Sequence, residues 1–278
     1  MKMLGTVATG GLVLAVAFGA IAAERQPGKQ FGRMPGKVAG QHTGKVTGKL
    51  AQKGGVPLSG GLAFFFNMGS GPPPSPDKYW RVPDEIAELD ADGRFNTELI
   101  PGTYFVGAIK RAVGKEVGPP AEGDLFLVAR DASQMPRSFV VTAGGHLDLG
   151  TIAEAIPYHK PAAAKEITGI AGQVVDAENK PVPGVYVFAY LTPAMIGRPL
   201  FASEKTGLDG KFLLRVAEGG NYYLKVRELY GGGPPRQGGI IGGYGDETPK
   251  AVTVKSGSVT SGITVKGLKF PGRGQPQK

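Results

Sequence analysis

DADGRFNTELIPGTYFVGAI, from Asp90 to Ile109, is the stretch that decides the fold, because a related sequence recurs later in the chain. The second version is LDGKFLLRVAEGGNYYLKV, from Leu208 to Val226. Both contain Asp-Gly, then a phenylalanine, then Gly-x-Tyr. Asp-Gly before an alternating apolar run indicates a tight turn, since glycine accepts positive φ and aspartate bonds to the nearby backbone. The alternation that follows is typical of a strand with one face in a core.

Around this pair of sequences the whole chain reads as a tandem duplication. Matching blocks occur in the same order in both halves, with a period of about 120 residues, which is a domain rather than a solenoid repeat. The matched blocks are 46–50 with 170–174, 57–60 with 181–184, 62–66 with 186–190, 92–95 with 209–212, 102–104 with 220–222, 118–124 with 233–246 and 140–145 with 252–257.

Short runs rich in β-branched and aromatic residues lie between turn residues in both halves. Examples are VTGKL (46–50), LAFFF (62–66), TYFVGAI (103–109) and SFVVT (138–142). Glycine and proline, 46 and 23 residues, lie mostly between these runs, where turns belong. The pattern predicts an all-β protein built from sandwiches.

The second half resembles a carboxypeptidase regulatory-like domain, a transthyretin-like β-sandwich. The resemblance covers residues 167–268 well and residues 44–156 more loosely, because the first half has an insertion at 68–89. It implies a fold class of two tandem transthyretin-like or Ig-like β-sandwich domains, and modules like it are usually accessory, adhesive or scaffold units. The positions that fit the motif are Gly172, Val174, Asp176, Pro181, Val182, Gly184, Val185, Asp209, Gly210, Phe212, Gly220, Tyr222 and Leu224.

The N-terminus predicts export. Lys2 precedes an uncharged stretch that runs to Ala23, and within it Ala20 and Ala22 are the small residues of a signal-peptidase site. We therefore expect a signal peptide at 1–23, no membrane span after its removal, and an extracellular or periplasmic protein. The alternative is a retained anchor, since the stretch is nearly long enough to cross a bilayer.

The remaining boundaries follow from composition. We expect a basic glycine-rich arm at 24–43, domain 1 at 44–156, a linker at 157–166, domain 2 at 167–268 and a basic tail at 269–278. The formal charge of +9 is concentrated in the arm and tail. These segments either adhere to an acidic surface, polysaccharide or partner, or are solvated tails. Nucleic acid is not expected as a specific ligand, because only Phe31 and Phe270 interleave the basic residues.

The sequence offers little catalytic chemistry. There is no cysteine, so thiolate zinc, iron–sulfur and cysteine-nucleophile sites are excluded. Asp90 and Asp92 resemble the start of a calcium loop, but Pro101 stands where a bidentate acid is needed, and a hairpin turn is the better interpretation. We expect no cofactor, no metal and no enzyme activity. A rival enzyme would have to use residues such as His146 or Asp124.

Two loops are candidates for binding. One holds Tyr79, Trp80 and Arg81, where exposed aromatics beside charges would form a protein hot spot or a sugar-stacking platform. In the alternative, Trp80 folds back and plugs the first sandwich. The other loop is glycine-rich and holds Ile240 and Ile241, which either dock on a partner or close over the second core.

The sequence therefore predicts an exported, non-enzymatic binding or structural protein that mediates protein–protein assembly or self-assembly. Edge strands and terminal arms would supply the contacts, by adding strands to a neighbouring sheet. The alternative is a carbohydrate-binding module that uses the loop of Tyr79 and Trp80.

Overall fold

The structure, a computed structural model, describes residues 42–114, 116–160, 167–230, 234–245 and 248–272. Within these ranges the chain is almost entirely β, and the one helix is a 3-10 turn, Met68–Ser70. The predicted signal peptide, nearly all of the predicted basic arm, and most of the predicted linker and tail lie outside the described residues. The described part contains no helix with the length and apolar character needed to cross a membrane.

The first domain is an eight-stranded sheet folded into a sandwich. Its order is β3-β2-β5-β6-β8-β1-β4, and β7 pairs with β5. The strands are β1 (Gly44–Gln52), β2 (Leu62–Asn67), β3 (Glu85–Glu88), β4 (Arg94–Leu99), β5 (Gly102–Lys110), β6 (Leu125–Val128), β7 (Ser138–Val141) and β8 (His146–Pro157).

The second domain repeats this topology strand for strand. Its order is β11-β10-β13-β14-β16-β9-β12, with β15 on β13, so each strand occupies the place of its counterpart in the first domain. The predicted fold class, two tandem β-sandwiches, is confirmed. The strands are β9 (Gly169–Val175), β10 (Tyr186–Tyr190), β11 (Phe201–Ala202), β12 (Lys211–Arg215), β13 (Gly220–Arg227), β14 (Ile240–Gly243), β15 (Ala251–Val254) and β16 (Val259–Lys269).

Each domain closes by pairing its first strand with its last. β1 pairs with β4 antiparallel and with β8 parallel, and β9 pairs with β12 and β16 in the same way. On β1 the alternation is visible in the burial, since Val46 and Leu50 are in the core and Lys45 faces water. Each sandwich thus has its own apolar core.

The two Asp-Gly turns that decided the fold have the same geometry. Gly93 and Gly210 have φ of 73° and 71°. The carbonyl of Gly93 accepts the N–H of Leu50 at 2.8 Å, and the carbonyl of Gly210 accepts that of Val174 at 2.9 Å. A Cβ at Gly210 would lie 2.5 Å from the carbonyl oxygen of Val174. Glycine is required here both by conformation and by space.

The tyrosine of each Gly-x-Tyr motif makes a further repeated contact. The hydroxyl of Tyr104 donates to the carbonyl of Ile100, and that of Tyr222 donates to the carbonyl of Glu218, each at 2.9 Å. Both rings lie in the cores. This is the local arrangement of a tyrosine corner, in which the ring fills the sandwich and the hydroxyl ties down the preceding loop.

Two of the sequence matches need correction. Gly102 pairs with Val141 and Gly220 with Val254, so the block 140–145 corresponds to 253–258, one residue later than the letters suggest. The match of 118–124 with 233–246 fails at its end, because residue 124 precedes β6 whereas residue 245 follows β14. Aligning the two halves by residue type alone does not show where residues have been inserted or deleted within a glycine-rich loop.

We predict that Gly210→Ala destabilises the protein more than Gly184→Ala. Both glycines have positive φ, 71° and 74°, but a Cβ at Gly184 would meet nothing within 4 Å. Gly184→Ala should cost about 1–2 kcal/mol from strain alone, and Gly210→Ala should cost clearly more because of the added backbone clash. Urea unfolding followed by circular dichroism measures both. If both variants lost the same free energy of unfolding, the predicted clash at residue 210 would be contradicted.

Candidate functional site

Strands β2 and β10 are buried on both faces, which is unusual for a sandwich with one side toward water. In β2, Phe65 belongs to the core of the first domain, while Phe64 and Phe66 point the other way. In β10, Val187 belongs to the second core and Phe188 points outward. The outward faces of the two strands share one apolar cluster, so the domains pack against each other through equivalent surfaces.

The two domains also meet edge to edge. The segment that leads into β3 pairs antiparallel with β11, the counterpart of β3, around Arg81 and Phe201. The N–H of Val82 donates to the carbonyl of Leu200 at 3.0 Å, and the N–H of Ala202 donates to that of residue 80 at 3.1 Å. The insertion at 68–89 therefore adds a short strand to the second domain from within the same chain.

We call the apolar cluster between the domains, together with this strand pairing, the interdomain joint. Its described residues all lie in one compact unit, residues 32–278. The buried members of the cluster are Leu62, Phe64, Phe66, Trp80, Val82, Phe105, Ile109, Phe126, Val128, Tyr158, Tyr186, Phe188, Tyr190 and Ala202.

Trp80 lies between the two domains and is 5% exposed. Its ring meets Phe64 edge-on at 6.0 Å and Phe126 at 6.1 Å, both in the first domain. Its indole N–H donates to the hydroxyl of Tyr230, in the second domain, at 2.6 Å. Burial raises the pKa of Tyr230 far above its usual range, and the bond from Trp80 offsets only part of that rise. This hydrogen bond gives the indole N–H and the tyrosine hydroxyl a partner in an otherwise apolar interior.

Tyr79 points in a different direction, into the core of the second domain. Its ring meets Phe201 edge-on at 5.2 Å. Its hydroxyl donates to the carbonyl of Pro73 at 2.8 Å, and burial raises its pKa. A residue of the first domain thus completes the apolar core of the second.

Arg81 holds the insertion together from inside, with 2% of its surface exposed. Its guanidinium donates to the carbonyls of Pro72 and Asn67, both at 2.5 Å, and to the carboxylate of Asp84 at 2.8 Å. It also lies 5.6 Å from the centre of the Phe66 ring. Burial lowers the pKa of Arg81, and Asp84 opposes that effect.

These positions correct the interpretation of Tyr79, Trp80 and Arg81 as an exposed binding platform. All three side chains are buried, so none presents a face to a sugar or a protein partner in this structure. The alternative, a plug in the first sandwich, is also wrong in detail, because Trp80 fills the space between domains. The physical reason is that Tyr79 and Trp80 remove more apolar surface from water in these positions than at an exposed loop tip, and that the guanidinium of Arg81 finds carbonyl and carboxylate partners inside the insertion.

Ile240 and Ile241 lie in β14, not in an open loop. Both are half-buried, and they pair with Lys269 and Leu268 of β16. Ile240 packs against the second core. Their assignment to partner binding remains a prediction.

The loop from Arg111 to Asp124 supports the joint from the first domain. Arg111 donates to the carbonyls of Gly118 and Pro119 and to the carboxylate of Asp124. That carboxylate also accepts the N–H groups of residues 112 and 121. The loop so fixed touches the second domain, where the hydroxyl of Tyr186 lies 3.4 Å from the carbonyl of Val117. Asp124 is fully engaged in this structural network.

The other titratable candidates have local partners. His146 lies 3.0 Å from the hydroxyl of Thr47, and the carboxylate of Asp90 accepts the N–H groups of Asp92 and Arg94 at 2.9 and 2.7 Å. The latter is the geometry of a turn. In the described residues, no three His, Asp or Glu side chains converge as metal ligands.

A cleft of about 780 Å³ opens in the first domain where β6 and β8 diverge. Phe126, Val128 and Ile156 are among its apolar lining residues, and Lys53 and Glu154 are among the charged ones. The two strands pair only at 125–126 with 156–157. This cleft, which we call the β6–β8 cleft, lies outside every candidate site inferred from the sequence.

Two signals in the sequence point to the joint, although it was not inferred from them. LAFFF (62–66) and YVFAY (186–190) are apolar throughout instead of alternating, which indicates strands covered on both faces. Tyr230 carries no such signal, since it lies 150 residues from Trp80 and follows a strand end.

Comparisons with known proteins give the following likenesses. No family profile matches the chain, and no curated protein matches it. Among solved structures, a streptococcal ancillary pilin is 17% identical with a TM-score of 0.25, over 84% of this chain and 64% of that one. The shaft pilin SpaA of Lactobacillus rhamnosus GG is 11% identical with a TM-score of 0.22, over 84% and 100%.

The TIE protein of Bacillus anthracis is 14% identical with a TM-score of 0.25. The match covers 82% of this chain, and this chain spans only 34% of the TIE protein. At these values the likenesses establish neither a family nor a function for this protein.

We predict that Trp80→Ala lowers the free energy of unfolding by about 3–5 kcal/mol, because it leaves a cavity in the joint. Trp80→Phe is the matched control: it keeps an aromatic ring and loses mainly the bond to Tyr230, so it should cost less. Urea unfolding followed by far-ultraviolet circular dichroism measures both. A Trp80→Ala variant as stable as the wild type would contradict the role given to this side chain.

We predict that Asp124 makes the stability depend on acid pH. Burial alone would raise its pKa, but the two backbone N–H groups and Arg111 outweigh burial and hold it below the ordinary 3.8. Stability from this group is therefore present above about pH 4 and is lost as the pH falls through the lower, folded-state pKa. Asp124→Asn should lower the free energy of unfolding by about 3 kcal/mol at pH 7. It should also make that free energy depend less on pH in the acid range.

The matched control for Asp124 is Glu204→Gln, which removes one partner of the exposed pair with Lys160. It should change stability by less than about 1 kcal/mol. Chemical unfolding at pH 7, 4, 3 and 2 makes the comparison. An acid limb that is identical in wild type and Asp124→Asn would show that other carboxylates carry the pH dependence.

Proposed function

We propose that this protein is an exported, non-enzymatic structural or binding protein that mediates protein–protein assembly in the cell envelope or the extracellular space. The observation that carries the proposal is the interdomain joint. There the chain already assembles two sandwiches by pairing sheet edges and burying aromatic residues. A protein built this way has the means to pair its remaining edges with other chains.

The described strands leave such edges. β4 pairs only with β1, and β12 pairs only with β9. On β12, Leu213 is 42% exposed and lies between Lys211 and Arg215. β11, by contrast, is paired with the insertion, so among its described end strands the second domain offers a partner β12 and not β11.

We also propose that both domains are carboxypeptidase regulatory-like modules. The Asp-Gly turns, the Gly-x-Tyr tyrosine corners and the shared topology support this. The assignment favours an accessory or scaffold role over catalysis. The carbohydrate-binding alternative loses its support, because Tyr79 and Trp80 are buried.

The experiment that tests assembly is crosslinking of the tagged mature chain in its native envelope and extracellular fractions, followed by mass spectrometry. We predict recovery of ladders of the chain itself or of a defined protein partner. Leu213→Pro on the β12 edge should reduce recovery if that edge is used, and Leu213→Thr, which keeps the strand, is its control. Recovery of monomer alone, from both fractions, would refute the assembly function.

A further inference from the structure

The β6–β8 cleft is closed in the second domain by the strands themselves. There β14 and β16 pair along four residues, 240–243 with 269–266. The first two of these pairs correspond to 125–126 with 157–156 in the first domain, after which β6 and β8 separate. The same fold therefore has a complete ladder in one domain and an open one in the other.

Residue size explains the difference. A Cβ at Gly242 would overlap the carbonyl oxygen of Lys266, so β14 and β16 approach this closely only because glycine is present. The corresponding residue of β6 is Leu127, whose side chain belongs to the first core. β8 also has an extra residue at Glu154, which shifts its register against β1, and the Glu154 carboxylate caps the N–H of Arg130 at 3.0 Å.

The sequence before β1 repeats the sequence of β1. Residues 28–51 read GKQF GRMP GKVA GQHT GKVT GKLA, six four-residue units that each begin with glycine followed by Lys, Arg or Gln. Residues 36–40, GKVAG, differ from residues 44–48, GKVTG, at one position. Four units lie before residue 44, and the last two form most of β1.

In β1 this repeat is a strand that binds β8. It pairs parallel with β8 from Lys45 opposite His146 to Gln52 opposite Ala155. On its other side, β8 pairs only with β6, at residues 156 and 157. One side of β8 is thus taken by the repeat, and the other is open along most of its length among the described strands.

We propose that residues 28–43 of one copy add as a β-strand to the open side of β8, in the β6–β8 cleft of a second copy. This inference deepens the proposed function, on which it rests, by naming the partner and the contact. Sixteen extended residues span roughly 50 Å, more than the strand they would pair with. The added strand would pair with the part of β8 that β6 leaves open. In the second domain, the corresponding part of β16 pairs with β14 itself.

Within one copy, the start of β1 and the cleft lie at different ends of β8. Thr43, immediately before β1, donates its hydroxyl to Glu98 of β4 at 3.2 Å, and its carbonyl accepts the N–H of Gly144, just before β8, at 2.9 Å. The cleft also lies at the far end of β8, around Ala153 and Ile156. Because each copy would supply one segment and accept another, the contact is heterologous and allows copies to be added one after another.

The first test uses disulfide trapping, which the cysteine-free chain makes clean. In the chain that begins at Glu24, Ala39→Cys is combined with Ala153→Cys in the cleft. Oxidation should give a ladder of linked copies that reductant collapses. The matched control combines Ala39→Cys with Val140→Cys, on β7 and 63% exposed, and should stay mostly monomeric. A disulfide within one copy, or an equal ladder in the control, would overturn the proposal.

The second test uses a chain that begins at His42 and a synthetic peptide of residues 28–43. The peptide should bind saturably, and Ile156→Lys in the cleft should weaken binding at least tenfold, whereas Val140→Lys should not. A peptide with proline at positions 30 and 38 keeps the charge but cannot form the ladder, and it should not bind. If both peptides bound equally well, charge attraction alone would account for the binding, and the proposal would be overturned.

Light scattering then separates this inference from the proposed function. The chain from Glu24 should self-associate, and the chain from His42 should be monomeric. If the shorter chain still self-associates or still captures a partner in the crosslinking experiment, assembly stands and the strand exchange is wrong. If neither chain associates and no partner is recovered, both proposals fail.

Discussion

Strands β2 and β10 carry large apolar side chains on both faces. Within a single two-layer sandwich, only one face of each strand can be covered. The rest of the architecture follows from this constraint. The uncovered faces must meet each other, which brings the two domains together through equivalent surfaces. Once they meet, the insertion reaches the β11 edge, Tyr79 enters the second core, and Trp80 finds Tyr230. Arg81 then keeps the insertion folded by satisfying its carbonyls from inside.

The fold was predictable because its determinants are local. Asp-Gly at 92–93 and 209–210 requires a turn of positive φ, and Gly-x-Tyr places an aromatic ring four residues after the carbonyl it bonds. Repetition of both signals made the duplication visible. The site was not predictable in the same way, since its contacts join residues far apart in sequence. Trp80 is the single tryptophan of the sequence, but whether a tryptophan on a loop is exposed depends on what the rest of the chain places beside it.

The two copies have diverged at a few positions that matter. Glycine at 242 lets β14 and β16 close, whereas Leu127 in the equivalent strand contributes to a core and leaves a cleft. The first domain carries the insertion and the second receives it. The two domains therefore share one topology but differ in how far β6 and β14 pair with the last strand of their domain. Comparing the sequences of the two halves shows their common pattern more easily than the difference at the cleft, because that difference depends on single residues such as Gly242 and Leu127.

The parallel pairing of first and last strands has a mechanical consequence. The chain enters each domain at the start of its first strand and leaves at the end of its last, and these points lie at opposite ends of one ladder. Tension along the chain therefore pulls β1 against β8, and β9 against β16, along their length. All the hydrogen bonds of each ladder bear that load together, in shear, instead of opening one after another. A chain of such domains would therefore resist tension applied along these strands.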